Sequence, residues 1–301
     1  MNRTLAGFGV FVLALAALLF GLRRLDRPPR SDEARPRRIV STNRHATEIL
    51  FAIGAGPEVV GVCDFCVWPP AVEELPRIGG LYDLSLDRVS ELRPDLVVFQ
   101  APAKAHDESA KRLADLGIDS IAIPVATLGD SFVAIRLLGQ RTGREEEAEG
   151  LVARLDRELL DVRALVSGRE RRGVLVVFGR QGDELRGLTG VGPGTFLDEL
   201  VATAGGTNVL ADASGPYPQI SAEDVLARQP DVILEIHVGE TLDGARRAAL
   251  RADWAPLSAV PAVAAGRIEF PTEEYLLVNG PRVPLVARRF AESIHPEVAG
   301  E

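Results

Sequence analysis

The stretch whose reading decides the fold runs Arg38-Ile39-Val40-Ser41-Thr42-Asn43-Arg44-His45-Ala46-Thr47-Glu48-Ile49-Leu50-Phe51-Ala52-Ile53-Gly54-Ala55-Gly56. Ile39–Ser41 reads as a short strand. A helix opening at Thr47-Glu48 then carries Ile49, Leu50, Phe51 and Ile53 until Gly54 and Gly56 stop it. Val59–Val62 follows as a second strand, and Arg93-Pro94 ends a helical turn ahead of the continuous apolar strand Leu96–Phe99. A helix over 107–116 and a strand at Ile121–Ile123 complete the alternation. Strands alternating with helices predict a mostly parallel sheet with its loops gathered along one edge, where such sheets usually hold ligands.

Working outward, Asp130–Gln140 reads as one helix, interrupted at Thr142-Gly143. From Arg144 to Val166 the apolar residues Ala148, Leu151, Val152, Leu155, Leu159, Val162 and Val166 recur every three or four positions among Glu and Arg. A helix of that length, about 1.5 Å per residue, fits a rigid connector between two units. Val174–Phe178 starts the second unit, which continues with a helix at Phe196–Ala204, a capped helix at Ser221–Leu226 and a strand at Val232–Ile236. Arg93-Pro94-Asp95-Leu96-Val97-Val98 is echoed by Gln229-Pro230-Asp231-Val232-Ile233-Leu234, as in two lobes built alike. The expected architecture is therefore α/β, with two α/β lobes on mostly parallel central sheets, a long backbone helix joining them and a ligand cleft between. The expected boundaries are a membrane segment 1–25, a tether 26–37, an N-terminal lobe 38–127, a helical connector 128–170 and a C-terminal lobe 171–301.

The amino terminus carries a membrane signal. Residues 5–22 are uncharged and flanked by Arg3 and Arg23-Arg24, just long enough to cross a hydrocarbon core of about 30 Å. Phe20-Gly21-Leu22-Arg23 is a poor cleavage site and the only cysteines are Cys63 and Cys66, so an uncleaved anchor is expected over a cleaved signal or lipid attachment. The proline- and arginine-rich 26–37 suits an extended tether.

A net charge of −9 argues against nucleic acid as a partner. No phosphate-binding loop ending in Lys-Ser/Thr and no Gly-x-Ser-x-Gly elbow occurs, so no enzyme is signalled. Cys63 and Cys66 form a C-x-x-C that reads as inert thiols, a local disulfide, or a redox or metal pair. Aromatics are only 5% of the chain, yet all three tyrosines, Tyr82, Tyr217 and Tyr275, fall in strand-end loops with Trp68 nearby, which favours an apolar, planar ligand. His45, His106 and His237 fall in such loops as well, and with Glu274 or Glu273 they compose an alternative metal site.

Ala46-Thr47-Glu48-Ile49-Leu50-Phe51, Val60-Gly61-Val62, Pro69-Pro70, Ile78-Gly79-Gly80, Arg93-Pro94-Asp95, Tyr217-Pro218-Gln219-Ile220-Ser221 and Gly280-Pro281-Arg282-Val283 together resemble the helical-backbone substrate-binding proteins of ABC importers, in particular the cobalamin and iron-siderophore branch. The resemblance covers residues 38–297 and implies a non-enzymatic, monomeric binding protein in the periplasm, tethered to the cytoplasmic membrane or secreted after cleavage. Its implied partners are a permease and, through it, the ATPase. Asp87 and Glu223 match the acidic residues with which each lobe docks onto the permease, and Tyr217 and Tyr82 match or neighbour pocket aromatics. The candidate ligand contacts are Arg44, His45, Tyr82, Arg180, Tyr217, His237 and Tyr275. The expected cargo is a corrinoid, with ferric siderophore, haem (where Arg44, Arg180, Arg186 or Arg282 would meet anionic groups) or a metal ion as alternatives. A membrane-tethered thiol redox protein using Cys63 and Cys66 is the reading from a different class.

Overall fold

Two sheets with separate hydrophobic cores share one long helix. The computed structural model describes residues 35–80, 83–101, 104–180 and 185–300, with the backbone alone at 104–106; the anticipated anchor and all but the last residues of the tether lie outside this range. Among the described residues no helix is long and apolar enough to cross a membrane. From Pro36 onward the chain forms one unit.

The first lobe runs β1 (Ile39–Ser41), α1 (Arg44–Ala52), β2 (Val59–Val62), α2 (Leu86–Glu91), β3 (Leu96–Gln100), α3 (Lys104–Asp115) and β4 (Asp119–Ile123). Its strands order β2-β1-β3-β4, all parallel, with Ile39 opposite Leu96 and Ser41 opposite Val98. The Asn43 side chain caps α1 by accepting from the Ala46 N–H at 2.8 Å, so the helix starts three residues earlier than the apolar run suggests.

Two helices follow, α4 (Leu128–Thr142) and α5 (Glu145–Leu165). Thr127 and Asp130 close a capping box on α4, and Gly143 ends it in the left-handed region at φ 61°. In α5, Glu145–Glu147 at the first turn and Arg163 at the last both complement the helix dipole. The buried stripe of α5 is divided between two cores. Ala148, Leu151, Val152 and Leu155 pack into the first lobe with Ile49, Leu50 and Val98, whereas Leu159 and Val162 pack into the second with Val174, Leu200 and Phe290.

The second lobe holds β5 (Arg172–Gly179), β6 (Leu188–Gly190), α6 (Phe196–Thr203), β7 (Gly206–Asn208), β8 (Gln219–Ile220), α7 (Ala222–Arg228), β9 (Val232–Glu235), α8 (Gly244–Trp254), α9 (Pro261–Ala264), β10 (Ile268–Glu269) and α10 (Val283–Ile294). Here β10, β9, β5 and β7 are parallel, and β6 and β8 extend the sheet antiparallel, so this sheet is mixed.

The sequence echo is a shared structural device. Arg93 and Gln229, the non-glycine residues with positive φ among those described, sit at 45° and 47° just past α2 and α7. The proline that follows each cannot continue the helix. Asp95 then accepts from the Arg37 and Arg38 N–H groups at 2.9 and 3.0 Å, and Asp231 accepts from the Gly173 N–H at 2.8 Å. In both lobes one helix–proline–aspartate unit thus anchors the start of the lobe's first strand.

Gly150 lies exposed in the interior of α5 with open space where a Cβ would stand. Replacing Gly150 with Ala is expected to stabilise the protein by about 0.5–1 kcal/mol, measurable as a raised midpoint in chemical denaturation.

Candidate functional site

The loops after β1 and β10 meet where the lobes face each other. From the first lobe, α1 brings Arg44, His45 and Glu48; from the second come Glu274, Tyr275, Asn279 and Arg282. Arg282 Nε donates to Glu48 Oε2 at 2.9 Å and Arg282 Nη2 to Glu274 Oε2 at 2.9 Å, while the Arg44 guanidinium pairs with Glu274 at 3.3 Å. Two arginines and two glutamates therefore balance each other across the junction. Glu48 is buried, and loss of solvent raises it above the ordinary carboxylate range although Arg282 opposes this. Glu274, more exposed, is held below that range by its bonds to Arg282. Burial works against the Arg282 charge, but Glu274 and Glu48 more than offset it and hold the guanidinium above its usual range.

Asn279 completes the junction. Its N–H donates to His45 Nδ1 at 2.9 Å, and its amide nitrogen donates to the carbonyls of Val125 and Thr127 at 2.9 and 2.6 Å. Because Nδ1 accepts, neutral His45 carries its proton on Nε2 and leaves no lone pair for a metal. Burial pushes the ring down to about 4. In this structure His45 is a neutral hydrogen-bond acceptor between the lobes.

Arg180 and His237 lie in a second network. Arg180 is nearly buried and pairs with Glu235 at 3.1 Å and Asp253 at 2.9 Å. His237 sits between Glu235 at 3.0 Å and Glu240 at 3.2 Å, and the Glu235 carboxylate, foremost, raises the ring above its ordinary range. Glu235 itself also accepts the Trp254 indole N–H at 2.7 Å. Both side chains thus serve the internal charge network of the second lobe. Among the described residues no three His, Cys, Asp or Glu side chains converge to hold a metal ion. Tyr82 and the side chain of His106 lie outside the described residues.

What stays open is aromatic. Trp68 is 43% exposed and stacks one face on Arg282, whose guanidinium carbon is 5.1 Å from the ring centre; Tyr275 covers the same guanidinium at 5.6 Å. Phe65, 64% exposed, rests against Gly80, where a Cβ would come within 3.0 Å of its ring. Tyr217, 49% exposed, packs edge-on against Phe178 near the end of β5, with ring centres 5.3 Å apart. Sequence reasoning passed over Phe65, Phe178 and Glu48, and noted Trp68 only as a neighbour. The pattern Phe65-Cys66-Val67-Trp68-Pro69-Pro70, an apolar cluster that two prolines keep from becoming a long helix, was the available signal. Asp87 and Glu223 are both exposed in the first turns of α2 and α7, each two residues past a capping serine, Ser85 and Ser221, and so occupy equivalent places in the two lobes.

The periplasmic binding protein family pattern matches residues 39–269, most of the folded chain. The chain belongs to this family. Among its relatives, a vitamin B12-binding protein of Pectobacterium carotovorum is 27% identical over 87% of this chain and 89% of its own length. An uncharacterized ABC transporter substrate-binding lipoprotein of Bacillus subtilis is 28% identical over 88% and 82%. A periplasmic haem-binding protein from Roseiflexus superposes with a TM-score of 0.73 at 28% identity, covering 87% of this chain and 99% of its own. Like the haem-binding neighbour that it superposes on, this periplasmic binding protein is α/β.

The junction gives this family member a defined acid response. Folding favours the neutral His45 ring, so its contribution is complete above pH 6.5 and is lost as pH falls from there to about 4. The loss amounts to up to about 3 kcal/mol. His45→Gln, which keeps an acceptor for the Asn279 N–H but cannot titrate, should flatten that part of the stability–pH curve measured by denaturant unfolding.

Proposed function

We propose that the protein is the extracytoplasmic solute-binding component of an ABC importer, held at the membrane by residues 5–22, and that it takes a corrinoid into the interlobe cleft and hands it to the permease. It performs no chemistry of its own and acts as a monomer. The observation that carries the reading is the contrast between neutralised cations and open aromatics. Arg44, Arg180 and Arg282 each face protein carboxylates, while Phe65, Trp68 and Tyr217 keep exposed ring surface. A haem or an anionic ferric siderophore brings carboxylates or other negative groups that want a free guanidinium fork, and binding one here would require breaking pairs that also hold the lobes. A corrinoid is a broad ring carrying mostly amide side chains, which aromatic faces and backbone groups accommodate without that exchange. The vitamin B12-binding relative supports the same choice.

Calorimetric titration of the full-length protein in detergent with cyanocobalamin is expected to give one-to-one binding with Kd about 10⁻⁶ M or better, against weaker or no binding of hemin and ferric siderophores. Absence of cyanocobalamin binding together with tight hemin binding would replace the corrinoid by haem. Trp68→Ala and Tyr217→Ala should each weaken the corrinoid about tenfold, the equivalent of roughly 1.4 kcal/mol.

Asp87 and Glu223 form the permease contact in this reading, one per lobe. Reversing both to arginine is expected to leave cyanocobalamin affinity within about twofold while abolishing stimulation of the transporter's ATPase in reconstituted vesicles. Stimulation that survives the double reversal would remove these residues from the docking surface.

A further inference from the structure

The thiols of Cys63 and Cys66 have no part in cargo binding as read above, and they lie directly beneath the aromatic loop. The Cys66 N–H donates to the Cys63 carbonyl at 3.1 Å, closing a four-residue turn. A turn so closed brings its end Cα atoms within about 7 Å, inside or close to the span of about 4.4–6.8 Å that a disulfide bridges. The turn is braced from outside: Arg77 donates to the carbonyls of Cys63 and Cys66 at 3.1 and 2.6 Å, and Asp64 exchanges hydrogen bonds with Gly79, 3.0 Å each way. Both sulfurs are buried and free, and no third ligand joins them among the described residues, which argues against a metal.

We propose that Cys63 and Cys66 are a dithiol–disulfide couple whose oxidation clamps the aromatic loop that carries Phe65 and Trp68. The chemistry divides unequally between the sulfurs. The bond from Cys66 lowers Cys63 below the ordinary thiol range despite burial, with Arg44 assisting, and the same pairing raises Cys66. Cys63 is therefore the attacking thiolate. It displaces one thiolate from a disulfide oxidant and forms a mixed disulfide; Cys66 then attacks Cys63 Sγ and expels the second thiolate, which takes the Cys66 proton. The protein loses two protons and two electrons, and the oxidant, taking them up, becomes two thiols. Oxidation also changes Cys66 Sγ where it shares a hydrogen bond of 3.2 Å, with either atom able to donate, with Thr47 Oγ1, in the same turn of α1 as Glu48 and one turn from Arg44. The couple itself rests on the geometry of the turn; only its bearing on cargo rests on the corrinoid reading.

The test uses the full-length protein, reduced and freed of reductant, with one equivalent of dithiodipyridine and no corrinoid present, so its result is independent of the cargo. The expected result is release of both thiopyridones, a mass lower by two hydrogens with no retained adduct, and a chain that stays single without reductant. Amide exchange across residues 63–68 should also slow by about tenfold in the oxidised form, and Cys63→Ser/Cys66→Ser should show neither change. A retained pyridyl adduct, a disulfide between two chains, thiols that react only after unfolding, or equal exchange in the two forms would each overturn the proposal.

Discussion

Glu48 and Arg282 set the distance between the lobes. A buried carboxylate is tolerable only with its charge answered, and removing one member of such a pair typically costs about 3–5 kcal/mol because the other is stranded. Glu48 is on the first helix of the first lobe and Arg282 stands just ahead of the last helix of the second, so their bond joins parts of the chain 234 residues apart. Arg44, Glu274, His45 and Asn279 all work on the same junction. The positions of Trp68 and Tyr275 follow from it, because both rings are stacked on the Arg282 guanidinium.

This arrangement explains why charge and ligand surface are kept apart. The junction uses arginines that a cleft could otherwise offer to an anion, and a second closed network in the C-terminal lobe uses Arg180, Glu235, His237 and Asp253. The surface left over is built from rings and loop backbone. On the proposed corrinoid reading, selectivity between broad planar ligands comes less from attracting charge than from refusing ligands that would disturb these pairs.

The architecture was legible where periodicity or punctuation carries it. The apolar stripe of Arg144–Val166 reads as a long helix because its residues repeat every three or four, and the structure puts α5 over Glu145–Leu165. The Arg93-Pro94-Asp95 and Gln229-Pro230-Asp231 echo is visible because a proline after a helix leaves a fixed mark. The mixed character of the second sheet was not legible, since β6 and β8 are three and two residues long and carry almost no pattern. In the site, loop position identified Arg44, Tyr217 and Tyr275 as residues worth weighing, along with Arg180 and His237, whose carboxylate partners it did not show. Their partner, Glu235, looks in sequence like the polar end of a strand, and only the folded sheet shows it 2% exposed under the Trp254 indole. Likewise His45 resembles a loop ligand until Asn279, far along the chain, donates to it.

The divided stripe of α5 has a thermodynamic consequence. A helix that contributes Leu155 to one core and, one turn on, Leu159 to the other cannot be broken at that point without loosening both. Since a broken helix must be renucleated at a large entropic disadvantage, neither lobe has an inexpensive route to melting while the other persists. The two α/β halves, each of which has its own sheet and core, therefore behave as a single cooperative unit: one calorimetric transition, with equal van't Hoff and calorimetric enthalpies, in place of the two separable steps that a flexible hinge would allow.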